Sequence, residues 1–218
     1  QEMLERIRSA PKFSDMDIPE RNFERTLSSW KPSYLFALKT AALRRGGLTP
    51  FEAAIALTEW QQKEAFFFAP ASMYCLAAIS HTPPKGGMLK GIKSNNLESL
   101  RSGLRNAAWD ICLLQQFGKL VRRANGPLWS LWSTDVALRE IATSLFLRGD
   151  EPEGQKLSAF YSRHWGERDG NRLLEIYEDS ALEASKDAPM RQAKMAEKIA
   201  SLDAQIEALE HKLGLIHD

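Results

Sequence analysis

Ala65-Phe66-Phe67-Phe68-Ala69-Pro70 is the stretch on which the fold reading turns. It is short, uncharged and aromatic, and it stops at a proline, which reads as a buried strand rather than a helix. A second strand is predicted over residues 128–134, where Leu128-Trp129-Ser130-Leu131-Trp132-Ser133-Thr134 alternates like a strand after the Asn125-Gly126-Pro127 turn. Each strand runs into a helical segment, residues 71–79 and residues 136–147. Strands alternating with helices imply a parallel sheet covered by helices. The expected fold is therefore α/β, helix-rich, with a small parallel sheet.

Outward from this core the chain reads as helix. Thr49-Pro50-Phe51-Glu52 is the clearest helix start, with Thr49 as N-cap, Pro50 at the first helical position and Glu52 completing a capping box. That helix should reach about residue 64. Residues 1–10 and 21–45 also read as helical, the latter with a break at Lys31-Pro32, because proline supplies no N–H, and an end at Gly46-Gly47. Residues 81–96 (HTPPKGGMLKGIKSNN) form the main loop. Residues 94–123 make a long amphipathic helix whose apolar face carries Leu97, Leu100, Leu104, Ala107, Ile111, Leu114 and Val121. Residues 155–185 read as two helices parted between Gly166 and Gly170. The expected organisation is a helical N-terminal part (1–64), an α/β core with flanking helices (65–188) and a C-terminal helix (189–218).

The terminal helix has a seam. Met195, Ile199, Leu202, Ile206, Leu209, Leu213 and Ile216 recur at alternating steps of four and three, the 3.5-residue period of a coiled coil. With Ile199 and Ile206 at a and Leu202 and Leu209 at d, the pattern suits a parallel dimer. Residues 190–216 are thus expected to bind a second copy or another helix. The competing reading folds the helix back against residues 171–186.

Composition narrows the function classes. The 218 residues carry 29 Lys plus Arg against 28 Asp plus Glu, so any contact with nucleic acid needs a local basic patch. The two cysteines, Cys75 and Cys112, lie in apolar stretches without a CxxC spacing, which argues against a disulfide framework or zinc site and fits a reducing, cytoplasmic compartment. The four histidines show no ligand spacing. No apolar run approaches a membrane span, so no membrane partner is expected.

Two acidic segments frame the second predicted strand. Arg105-Asn106-Ala107-Ala108-Trp109-Asp110 ends with an aspartate at the border of a helix's apolar face, where a charge is half-buried and needs a partner. Ser133-Thr134-Asp135 sits where the strand ends and the next helix begins. Carboxylates converging outside the carboxyl ends of strands can hold Mg²⁺ or Mn²⁺, which prefer oxygen ligands. Over about residues 65–147 this layout resembles the PIN-domain nucleases, although the family's first-strand aspartate has no counterpart here. The resemblance implies a PIN-like, metal-dependent endonuclease hydrolysing RNA phosphodiester bonds, as a toxin or defence effector. In it Asp110 and Asp135 are the catalytic metal ligands, and Thr134, Ser133 and Asn106 position water or substrate.

Each residue also has a plainer reading. Asp135 at a strand–helix junction is a favoured N-cap, and Asp110 can simply pair with Lys or Arg. Lys85, Lys90 and Lys93, with Arg105 on the long helix, can grip phosphates or form a solvated surface. The tryptophans read first as core or interface anchors. The alternative function is a catalytically inactive interaction or oligomerisation protein acting through the terminal helix.

Overall fold

The computed structural model describes residues 29–66, 68–85, 87–121, 131, 133–146, 153–186 and 196–216. Among them are helices α1 (Trp30–Arg45), α2 (Pro50–Lys63), α3 (Ala69–Ile79), α4 (Leu97–Val121), α5 (Val136–Phe146), α6 (Glu153–Lys186) and α7 (Leu202–Lys212). No strand occurs among the described residues. The expected α/β fold with a parallel sheet is thus overturned, and the described architecture is helical.

The aromatic run explains the difference. Pro70 lies in the first turn of α3, where a missing N–H costs nothing. Ala65, Phe66 and Phe68 form the linker into that helix, not a strand. Phe66 and Phe68 gather round Phe36, with ring centroids 5.9 and 6.0 Å away, and Trp60 meets the same ring at 5.2 Å. The run's apolar character therefore records burial of a plug between helices. Of the second predicted strand only Leu131, Ser133 and Thr134 are described, and none is in a strand. Its remainder, the turn before it, Trp129, Trp132 and the predicted helix over residues 1–10 lie outside the described residues.

Helix α1 is the hub, packing against α2, α3, α4 and α7. Tyr34, Leu35, Phe36, Ala37 and Leu38 are buried in unbroken succession, as in a helix covered on all sides. Pro32 falls in its first turn, so the expected break becomes a helix start. The capping box of α2 forms as read: Glu52 N–H donates to Thr49 Oγ1, and Thr49 N–H donates to Glu52 Oε2. Asn96 Oδ1 accepts from Ser99 N–H at the start of α4. Helix α6 kinks at Gly166 (φ 76°, ψ 168°), inside the break expected there.

The terminal seam is occupied from within the chain. Helix α7 lies on α1 rather than on residues 171–186. Leu202, Leu213 and Leu215 are buried, and Ile206 and Leu209 pack against the same core. Tyr34 donates a hydrogen bond to Glu210 Oε1 at 2.9 Å, and Arg101 donates to the Leu215 carbonyl. Lys31 and Asp203 pair at 2.7 Å, but both are more than half exposed, so this pair adds little. Ile199, one step before α7, is 55% exposed. The seam expected to meet a partner is therefore filled by α1 over residues 202–215. No helix among the described residues is long and apolar enough to cross a membrane.

Candidate active site

Asp110 sits just past the middle of α4, and Tyr74 comes from the middle of α3. The Tyr74 hydroxyl donates to Asp110 Oδ2 at 2.9 Å. Burial pushes the Asp110 carboxyl above the usual carboxylate range; the Tyr74 hydrogen bond and the Lys90 charge oppose that rise, and the charge of Asp135 adds to it. Tyr74 is held well above the ordinary phenol value by burial, then by the Asp110 charge and hydrogen bond, with a contribution from Asp135. Asp135, 25 positions beyond Asp110 in sequence, thus lies within electrostatic reach of both groups. The packing of α5 on both α3 and α4 brings it there.

Asp135 also caps α5. Its Oδ1 accepts from Leu138 N–H at 3.0 Å, while its own N–H donates to Ser133 Oγ at 3.0 Å. Ser133 is therefore engaged as an acceptor in the cap, and Thr134 beside it is exposed. Each carboxylate keeps one oxygen outside these bonds among the described residues, Oδ1 of Asp110 and Oδ2 of Asp135.

The other expected site residues divide between surfaces. Lys90 acts on Asp110 directly. Asn106 is exposed one turn before Asp110 on the same stripe of α4. Arg105 lies elsewhere, since its charge acts on Tyr34 beside α7. Lys93 lines a separate cleft with Arg44 and Arg45, and exposed Lys85 has no bond to the acidic pair. Residues 87–96 are firmly seated: Leu89 is buried, and an added Cβ on Gly91 would meet the Ser99 carbonyl oxygen at 2.5 Å.

Tyr74 was not legible as part of a site. It sits inside the apolar sequence Ala71–Ile79, and its only signal is that a buried tyrosine needs a partner for its hydroxyl. Around the acids lie Trp109, 52% exposed, with exposed Leu113 one turn along α4 and exposed Val136 directly after Asp135.

The donor set can be weighed against a divalent cation. Among the described residues no group of three or more His, Cys, Asp or Glu side chains forms a metal cage. Magnesium, however, characteristically keeps several waters and is held by one or two carboxylates plus substrate phosphates. Two carboxylates close enough for the Asp135 charge to act on Asp110, each with an oxygen outside the bonds described, fit that mode. Comparison with protein-family models, with curated proteins and with solved structures gives no match.

The electrostatics make one prediction independent of metal. The folded Asp110 carboxyl binds its proton more tightly than in the unfolded chain, so folding stability falls as pH rises from the ordinary aspartate value, about 3.9, through the raised one. Asp110→Asn abolishes that charge while keeping an acceptor for Tyr74. It should match or exceed the wild type in urea unfolding at pH 7, and the difference should shrink at about pH 4, near the unfolded value.

Proposed function

We propose that the chain is a Mg²⁺- or Mn²⁺-dependent hydrolase of RNA phosphodiester bonds, with its site at the junction of α3, α4 and α5. The observation that carries this reading is that the charges of Lys90 and Asp135, from two other segments, both act on the half-buried Asp110 carboxylate that Tyr74 holds by a hydrogen bond. It rests on that site alone and not on the PIN fold, whose sheet is missing among the described residues.

The carboxylates of Asp110 and Asp135 would hold the cation. When bound, a divalent ion polarises a phosphoryl oxygen and lowers the pKa of a coordinated water. Tyr74 fixes the orientation of the Asp110 carboxylate through its hydroxyl. The cap from Leu138 N–H does the same for Asp135 and adds the positive end of the α5 dipole beside the acids. Lys90 supplies a cation for the phosphate that approaches them. The exposed face of Trp109 offers a platform on which an unpaired base can stack. The alternative of assembly through residues 190–216 has weaker support, because α1 fills most of that seam.

The test is cleavage of single-stranded RNA in Mn²⁺ by the wild type and by Asp110→Asn. The expected result is cleavage that stops on chelation and falls at least ~100-fold in the variant, as on removal of a charge that stabilises the transition state. Equal rates in both proteins would remove Asp110 from the chemistry, and no cleavage by the wild type would end the reading.

A further inference from the structure

Arg44, Arg45, Ile92, Lys93 and Asn95 line a cleft of about 280 Å³ between the C-terminal end of α1 and the segment before α4. Three of the five lining residues are cations and none is an acid. Neither stretch of chain that builds the cleft contains an acid, since Asp and Glu are absent from residues 30–51 and 65–97. None of the three cations pairs with a carboxylate among the described residues.

The guanidinium groups are held in place without being neutralised. Arg45 Nη1 donates to the Ser94 carbonyl at 2.8 Å and to the Ile92 carbonyl at 3.4 Å; Arg44 Nη1 donates to the Leu48 carbonyl at 3.1 Å. Each leaves Nε and Nη2 uncommitted by these bonds, the fork that binds oxyanions bidentately. The end of α1 opposes an anion with a partial charge of only about −0.5, against three full positive charges. The opposite wall is rigid: Gly91 adopts φ +77° against Ser99, and Gly103 of α4 lies hard against the Lys90 carbonyl. A preformed site loses little freedom when a ligand enters.

We infer that this cleft is a binding site for a phosphate group, separate from the Asp110–Asp135 pair and independent of any hydrolysis there. Its ligand is a phosphate of a nucleic-acid backbone or of a free phosphorylated small molecule.

The test uses the full chain in EDTA, so that no divalent cation bridges the ligand and no cleavage occurs. Pyrophosphate binding is measured by calorimetry and binding of a labelled single-stranded RNA by anisotropy. The proteins are wild type, Lys93→Gln, the double variant Arg44→Gln/Lys93→Gln, and Lys119→Gln as an exposed lysine outside the cleft. Affinity should fall roughly tenfold in the double variant and about threefold in Lys93→Gln, with Lys119→Gln unchanged, consistent with charge-assisted bonds partly screened at a surface. Weakened RNA binding, with a salt slope lowered by about one per cation removed, assigns the backbone as source. Weakened pyrophosphate binding with RNA unaffected assigns a small phosphorylated ligand. If Arg44→Gln perturbs folding, Lys93→Gln alone decides, because no bond among the described residues ties its ammonium down. The inference is overturned if the wild type binds neither probe, or if Lys93→Gln and Lys119→Gln behave alike.

Discussion

Truncation of the chain after residue 200 is expected to abolish the cooperative fold rather than to release an intact monomer. Leu202, Leu213 and Leu215 are buried, and Ile206 and Leu209 pack on the same core. Burying one leucine contributes about 1.5–3 kcal/mol, so the three buried leucines alone account for about 5–9 kcal/mol. That is comparable to the whole stability of an ordinary domain, about 5–15 kcal/mol. The truncation also bares the side of α1 on which Tyr34 meets Glu210. Thermal melting followed by circular dichroism, with mass from light scattering, checks this. A truncated chain that melts like the full one but changes its oligomeric state would restore the partner-binding role of the seam.

Gly103→Ala is expected to have the second largest effect. A Cβ at this position of α4 would stand 1.6 Å from the Lys90 carbonyl oxygen and 2.6 Å from its carbon. Both are backbone atoms, so no rotamer change relieves the clash, and either α4 or the lysine segment must move. Overpacking of this kind costs about 3 kcal/mol or more, which for a chain of this size lowers Tm by roughly 6–12 °C. The shifted segment carries both Lys90 and Lys93, so the variant should also bind pyrophosphate more weakly. A Tm within about 1 °C of the wild type, with binding intact, would mean that the segment is not seated on α4 as described.

What the sequence conveyed depended on how local the determinant was. The Thr49–Glu52 capping box closes within four residues, and it formed as read. The kink at Gly166 needed only a residue that tolerates positive φ. The aromatic run at 65–70 failed because uncharged, apolar composition reports burial without stating a period. Its aromatic rings fill space around Phe36, which lies some thirty residues earlier. The terminal seam was legible as a helix face that must pack. Its occupant was not, because Leu202–Leu213 would suit α1 or a second copy equally well.

The same distinction holds at the site. The half-buried position of Asp110 followed from its place on the helix stripe, and the cap role of Asp135 followed from its place before Val136. Tyr74, the hydrogen-bond partner of Asp110, lies 36 positions away, and only packing of α3 on α4 joins them. The lysine segment read as a single phosphate-gripping loop, yet Lys90 acts on Asp110 while Lys93 lines the cleft with Arg44 and Arg45. One loop therefore serves two surfaces.

The central claim is that Asp135 is more than a cap. Asparagine caps helices about as well as aspartate, so Asp135→Asn keeps the bond from Leu138 N–H and removes only the charge. The decisive measurement is a calorimetric titration of Mn²⁺ into the intact wild type and into Asp135→Asn at matched Tm. The expected result is a binding isotherm in the wild type that disappears in the variant. Indistinguishable isotherms would contradict it and leave Asp135 a structural residue.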